Sequence, residues 1–178
     1  MTSICGSRRD FTDCDDAYVL EFVEIAADIV AIPAYQKLKN YRHHCISRYQ
    51  HSLNVAWYTY RWSRMANLDY VSATRGALLH DFFLYDWRNK EQPIPGRHCE
   101  VHPMVALSNA EKYVDVNPVM RDCILHHMWP SSAAHPDTKE GMIVQLADKY
   151  CASIEFESRP YRYLKPKFIR AFSIIKQA

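Results

Sequence analysis

His80 and Asp81 stand side by side at the end of an apolar run, Ala77-Leu78-Leu79-His80-Asp81-Phe82-Phe83. Burying an imidazole and a carboxylate together is costly unless something compensates them, and a divalent cation compensates both. Donors of the same kind recur at helical positions along the chain. His51 lies one turn before Val55, His102 precedes Pro103, and the doublet His126-His127 closes a helical stretch. Asp148 sits inside Val144-Gln145-Leu146-Ala147-Asp148-Lys149-Tyr150. Aspartate is disfavoured in the middle of a helix, and within an apolar stretch it needs a partner. Nitrogen and carboxylate donors without thiolate suit one or two ions of iron, manganese, zinc, cobalt, nickel or magnesium, and suit soft metals poorly. A carboxylate can bridge two ions, and Asp81 is the natural bridge because it adjoins another donor. Each residue alone has a plainer reading. His51 could be a satisfied core histidine, Asp148 a solvated or ion-paired carboxylate, His102 a helix entry, and His126-His127 a complement to a helix dipole. The ordered set is what points to metal.

Those donors need elements to hold them, and the elements read as helices. Glycine is scarce, with four in the chain, and strand-like alternation is rare. A first helix is expected over about 16–32, with Tyr18, Phe22, Ile25, Ile29 and Ile32 on one stripe and Asp15 or Asp16 as cap. Pro33 interrupts it, and a turn follows to about residue 40. A second helix spans about 47–66, with Val55, Tyr58, Trp62 and Met65 toward the core, and a third about 71–83. Residues 86–100 read as a loop, and a loop of that length often borders a site. A fourth helix starts at His102-Pro103 and runs to about 114. A fifth follows the cap Asn117 to about 127, and a sixth runs from Thr138 to Glu157. Pro160 and Pro166 mark breaks before a last helix ending near Lys176. The expected fold is all-α, a compact multi-helix bundle with its site between facing helices.

The 178 residues suggest a single domain over 1–178. The net charge is +2 and the basic residues are scattered, so no nucleic acid polymer is expected as a partner. The six cysteines form no Cys-x-x-Cys pair and read as reduced thiols. The N-terminus has no apolar signal core, and no run approaches the roughly 18 apolar residues of a membrane span. A cytoplasmic protein with no membrane partner is expected. The helix faces carry enough apolar surface for a homodimer, though nothing demands one.

The order His51, His80-Asp81, His102, His126-His127, Asp148 resembles the HD-domain superfamily of metal-dependent phosphohydrolases, over about 45–155. The strongest segments are Arg48-Tyr49-Gln50-His51-Ser52-Leu53-Asn54-Val55-Ala56, Gly76-Ala77-Leu78-Leu79-His80-Asp81 and Leu146-Ala147-Asp148-Lys149. The resemblance implies that His51, His80, Asp81 and Asp148 hold one ion. It also implies that His102 with His126 or His127 extends the site to a second, with Asp81 as bridge. The spacing and the histidine doublet are similar to the cyclic-dinucleotide phosphodiesterases of the superfamily. Yet their Gly-Tyr-Pro tract is absent, Met128-Trp129-Pro130 follows the doublet, and Leu84 stands where those enzymes carry lysine. The segments around His51 and Asp148 also resemble bacterial HD proteins that split diadenosine tetraphosphate symmetrically. The chain as a whole most resembles small uncharacterised HD proteins of anaerobic bacteria.

The resemblance implies a phosphomonoesterase or phosphodiesterase acting on a small phosphorylated metabolite or nucleotide through a mono- or binuclear His/Asp site. The alternatives are a symmetric dinucleoside polyphosphate hydrolase, a di-iron oxygenase of the HD fold, and a non-catalytic domain that senses a ligand. In the hydrolytic reading Asp81 is essential to catalysis. Arg48, one turn before His51, and Lys149, next to Asp148, are the better candidates to anchor phosphate, ahead of Arg75 and Arg88. A surface role for each is the plainer reading. His98, four residues before His102, is a candidate general acid or a support for a ligand, against the plainer reading of a loop histidine. Asp86 could orient water or cap a turn, and Trp87, Trp129 and Tyr150 could stack on a base.

Overall fold

The computed structural model describes residues 17–43, 46–89 and 91–157. The expected cap at Asp15 or Asp16 and the breaks and helix beyond residue 157 lie outside the described residues.

Helix α1 (Ala17–Ala31) buries Val19, Phe22, Val23, Ala26, Ile29 and Val30. The stripe is therefore rotated from the expected one, and Tyr18 is 44% exposed. Pro33 ends α1 as expected, but the chain restarts at once as α2 (Pro33–Gln36) and tightens into a 3-10 turn at Lys37–Asn40. Proline at a first helical turn costs no hydrogen bond, which is why one residue both stops and starts a helix. Next comes a hairpin that periodicity could not reveal, β1 (Arg42–His43) antiparallel to β2 (Ile46–Ser47). Two-residue strands are too short to show alternation.

Ser47 caps α3 (Arg48–Met65) by accepting from the Gln50 amide. The expected stripe fails here. Met65 is 79% exposed, while every residue from His51 to Trp57 is buried. The first half of α3 is enclosed on all sides, and a helix so enclosed carries no amphipathic stripe to read. α4 (Tyr70–Leu79), capped by Asp69, ends earlier than expected. Phe82 N donates to Leu79 O and Phe83 N to Asp81 O, so His80 and Asp81 lie in the turn that leaves the helix.

α5 (His98–Ala110) begins one turn earlier than expected and carries Pro103 inside it. The missing N–H removes one intrahelical bond without stopping the helix. α6 (Pro118–His126) is capped by Asn117, which accepts from Met120 N at 2.9 Å. α7 (Lys139–Glu157) follows the loop after α6. α3, α4, α6 and α7 share one hydrophobic core with α1 and α5, which includes Phe22, Leu53, Trp57, Leu78, Leu107, Ile124 and Val144. α4 and α6 approach closely at Gly76, where a Cβ would lie 2.6 Å from the Cys123 Cβ. The fold is all-α, with one short hairpin among the described residues. Among the described residues no helix is long and apolar enough to cross a membrane.

Candidate metal centre

Five elements bring the donors together. α3 supplies His51, the α4 exit supplies His80 and Asp81, α5 supplies His102, the residue after α6 is His127, and α7 supplies Asp148. His51 Nε2 is 3.0 Å and His80 Nε2 3.8 Å from the same oxygen, Asp148 Oδ1. On the other side, Asp81 Oδ1 lies 3.3 Å from His102 Nε2 and 3.9 Å from His127 Nε2. Asp81 Oδ2 lies 4.0 Å from His80 Nε2. Asp81 thus stands between two groups of donors. All six side chains are buried.

The donors open onto a cavity of about 180 Å³. Asp81, His102, His127 and Asp148 line its floor, with Phe83, His98 and Met128 beside them. Trp87, His43, Arg42, Arg48 and Arg88 complete the wall.

The HD-domain family model matches residues 48–153, a span that holds all six donors. The chain belongs to the HD-domain family. The HD-domain superfamily is largely one of metal-dependent hydrolases. No curated protein matches the chain, and no solved structure does.

The residues of this HD domain fit a divalent cation on three counts. A carbonyl oxygen only accepts, so the His80 Nδ1–H must donate to Ala77 O at 2.7 Å. His80 Nε2 is left as a lone pair, buried and without a hydrogen-bond partner. Such an atom among carboxylates calls for a cation. Second, His102 Nδ1–H donates to His98 O and His127 Nδ1–H to Ile124 O, each at 2.8 Å. Their Nε2 lone pairs therefore face each other at 2.9 Å. Two lone pairs repel at that distance unless a cation is shared, and two nitrogens each about 2.1 Å from one ion, at about a right angle as in octahedral coordination, stand about this far apart. Burial and the neighbouring imidazoles hold the His127 pKa well below its usual value, so the ring is a neutral donor. Third, His51 Nδ1 lies 2.8 Å from Glu155 Oε2. Burial alone lowers the His51 pKa, but Glu155 and Asp148 outweigh it and raise it to about 10. The ring then donates to both carboxylates; a cation beside Asp148 would take the place of the Nε2 proton. Burial raises the Asp81 pKa, yet positive charge at His80 and His102, or at an ion in its place, outweighs it and holds Asp81 well below the usual carboxylate range. The carboxylate form is the one that ligates.

Two residues near the donors had no part in the sequence reading. Glu155 is fully buried, and Asn54 Nδ2 donates to its Oε1 at 2.7 Å. Its signal was its place two turns after Asp148 on the same helix, which puts both carboxylates on one face. His43, on β1, sets its ring centroid 3.8 Å from that of His51 and brings a nitrogen within 4.8 Å of donors on His51 and Asp81. A short hairpin gives no periodic signal for it.

Other expected roles change with the geometry. His126 is not brought to the centre. Its Nδ1 pairs with Asp122 Oδ1 at 2.6 Å, and adjacent residues at a helix end point apart, so His127 alone of the doublet joins the donors. Asp122 in turn accepts from Asp137 N at 2.9 Å, Thr138 N at 3.0 Å and the Thr138 hydroxyl, which fixes the entry to α7; Thr138 is the cap, its hydroxyl oxygen accepting from Gly141 N at 2.9 Å. Arg48 is 2% exposed, and its guanidinium donates to Phe83 O and Tyr85 O while lying against the Phe83 ring. It fixes the chain just after Asp81. Lys149 Nζ donates to His127 O at 2.8 Å and lies 3.6 Å from Asp148 Oδ2, behind the donors and not in the cavity lining. Arg75 is turned to Asp28 at 2.8 Å. Tyr150 packs on Tyr58 and Trp62, and Trp129 on His135, while Trp87 lines the cavity. Asp86 caps its own turn by accepting from Arg88 N. Burial and His102 lower the His98 pKa to about 4, so this ring is neutral and lacks the proton of a general acid near pH 7.

Proposed function

We propose that the chain is a metal-dependent phosphohydrolase acting on a small phosphorylated metabolite or nucleotide through a binuclear His/Asp centre. The observation that carries the reading is the buried lone pair of His80 Nε2, facing two carboxylates at the floor of a cavity that also bears arginines. His51, His80, Asp81 and Asp148 would hold one ion, and Asp81, His102 and His127 a second. Bound there, the ions would lower the pKa of water and offset charge on the phosphoryl oxygens. Glu155 orients His51, and the Ala77, His98 and Ile124 carbonyls orient His80, His102 and His127 by accepting their Nδ1 protons. Such acceptors fix the tautomer and ring plane that ligation needs. Arg48 holds Phe83 against the cavity, and this apolar wall excludes bulk water from one side of the floor. The neutral His98 at the wall suits a hydrogen bond to substrate better than donation of a proton.

The test is hydrolysis of a panel of phosphomonoesters, phosphodiesters and nucleotides by protein loaded in turn with manganese, iron, cobalt or nickel. Metal-dependent release of phosphate, abolished in Asp81→Ala, is expected. A chain that takes up metal and cleaves nothing would defeat the reading.

A further inference from the structure

We propose that Arg42 and Arg88 form a second anion subsite at the mouth of the cavity, which selects phosphate esters carrying another anionic group beside the reacting one. The proposal rests on the phosphohydrolase reading and names the substrate class of the same site.

The basic residues first expected to anchor phosphate are committed elsewhere, Arg48 to two carbonyls and Lys149 to His127 O. Arg42 and Arg88 line the cavity and are exposed to solvent, one on β1 and the other on the 3-10 turn at Trp87–Asn89. Arg88 Nη1 donates to Arg42 O at 3.4 Å, which ties the two segments. A column of rings also braces Arg88 against the floor. Its guanidinium lies 4.9 Å from the Trp87 ring centre, Trp87 stacks on His98 at 5.0 Å and 18°, and His98 stacks on His102 at 4.5 Å. The rim is thus built at a set height above a candidate ligand. Asp86 Oδ1 is 4.0 Å from Arg88 Nη1 and Glu91 Oε2 accepts from Asp86 N, but neither carboxylate lines the cavity, so the charges that the rim turns to it are the two guanidinium groups.

With the floor given to the reacting phosphate, the rim faces a different part of the ligand. A cavity of about 180 Å³ requires that part to belong to the same small molecule. Guanidinium groups recognise phosphate and carboxylate oxygens in pairs. The class is therefore small phosphate esters that carry a second phosphate or a carboxylate, bisphosphates among them.

Pyrophosphate and inorganic phosphate are the probes, titrated calorimetrically into the manganese-loaded full chain. Wild type should prefer pyrophosphate, and the Arg42→Ala/Arg88→Ala variant should narrow that preference by about tenfold or more. Arg42→Lys/Arg88→Lys should restore part of it. Both side chains are exposed, and circular dichroism checks that the variants fold. No preference in wild type, or an equal preference in the alanine variant, overturns the subsite. The hydrolytic reading fails separately: if the loaded wild type cleaves no phosphate ester while the pyrophosphate preference still depends on the two arginines, the subsite stands and the reading falls.

Discussion

His51 shows how a residue's surroundings decide its role. Between Glu155 and Asp148 it is either a buried imidazolium or an oriented ligand, and Glu155 serves both states. Glu155→Gln should weaken metal binding by about 10–100-fold, read by competition with a chelating dye. Unchanged affinity would remove Glu155 from the site. The histidine doublet gives a sharper contrast. His127→Ala should lower the metal content of the chain, whereas His126→Ala should keep it and cost only stability through Asp122; elemental analysis of the two variants distinguishes them. At this scale the sequence was informative where a residue type was rare in its setting, as with His80-Asp81 or a mid-helix Asp148. It was uninformative where choice depended on direction. Nothing in His126-His127 says which ring turns inward, because that follows from where α6 ends.

Among the elements, α7 carries Asp148 and Glu155, and its start is held by the Thr138 cap and by one carboxylate that fixes the residues before it. Asp122 accepts from two backbone amides and the Thr138 hydroxyl, and Gly141 makes room for it, since a Cβ there would lie 2.2 Å from Asp122 Oδ2. Gly141→Ala should therefore destabilise the fold by about 1–3 kcal/mol in urea denaturation. A neutral result would mean that Asp122 moves aside without cost. Burial raises the Asp122 pKa, but the bonds from Thr138, Asp137 and His126 prevail and depress it from the usual carboxylate value. A carboxyl depressed on folding contributes stability above its unfolded pKa and loses it as pH falls through the folded value. Asp122→Asn should thus be less stable than wild type near neutral pH, with the difference shrinking below about pH 4. A difference that is constant with pH would contradict this origin. Helix positions were largely legible from the periodicity, the prolines and the cap Asn117, and the structure adds Ser47 and Asp69 as caps. The faces of α3 were not, because full enclosure erases the stripe, and the start of α5 was missed because Pro103 was taken for a first turn.

For the whole molecule, the helices converge on one cluster of polar groups that the fold buries at a cost. Six ligand candidates from five elements cannot be satisfied by one another, as the lone pairs of His80, His102 and His127 demonstrate. Anything that binds the folded state alone stabilises it by mass action. Manganese should therefore raise the unfolding temperature of wild type and leave that of Asp81→Asn almost unchanged. The order of the donors along the chain was enough to suggest a cage. The cavity above it, with its braced arginines, depends on a hairpin and a turn that leave no periodic trace. The most direct test of the central claim is the metal content of purified, reconstituted chain, compared between wild type and Asp81→Asn. The predicted result is a pair of ions per wild-type chain and loss of both affinity and stoichiometry in the variant. Wild type that binds no metal, or a variant that keeps full occupancy, would contradict it.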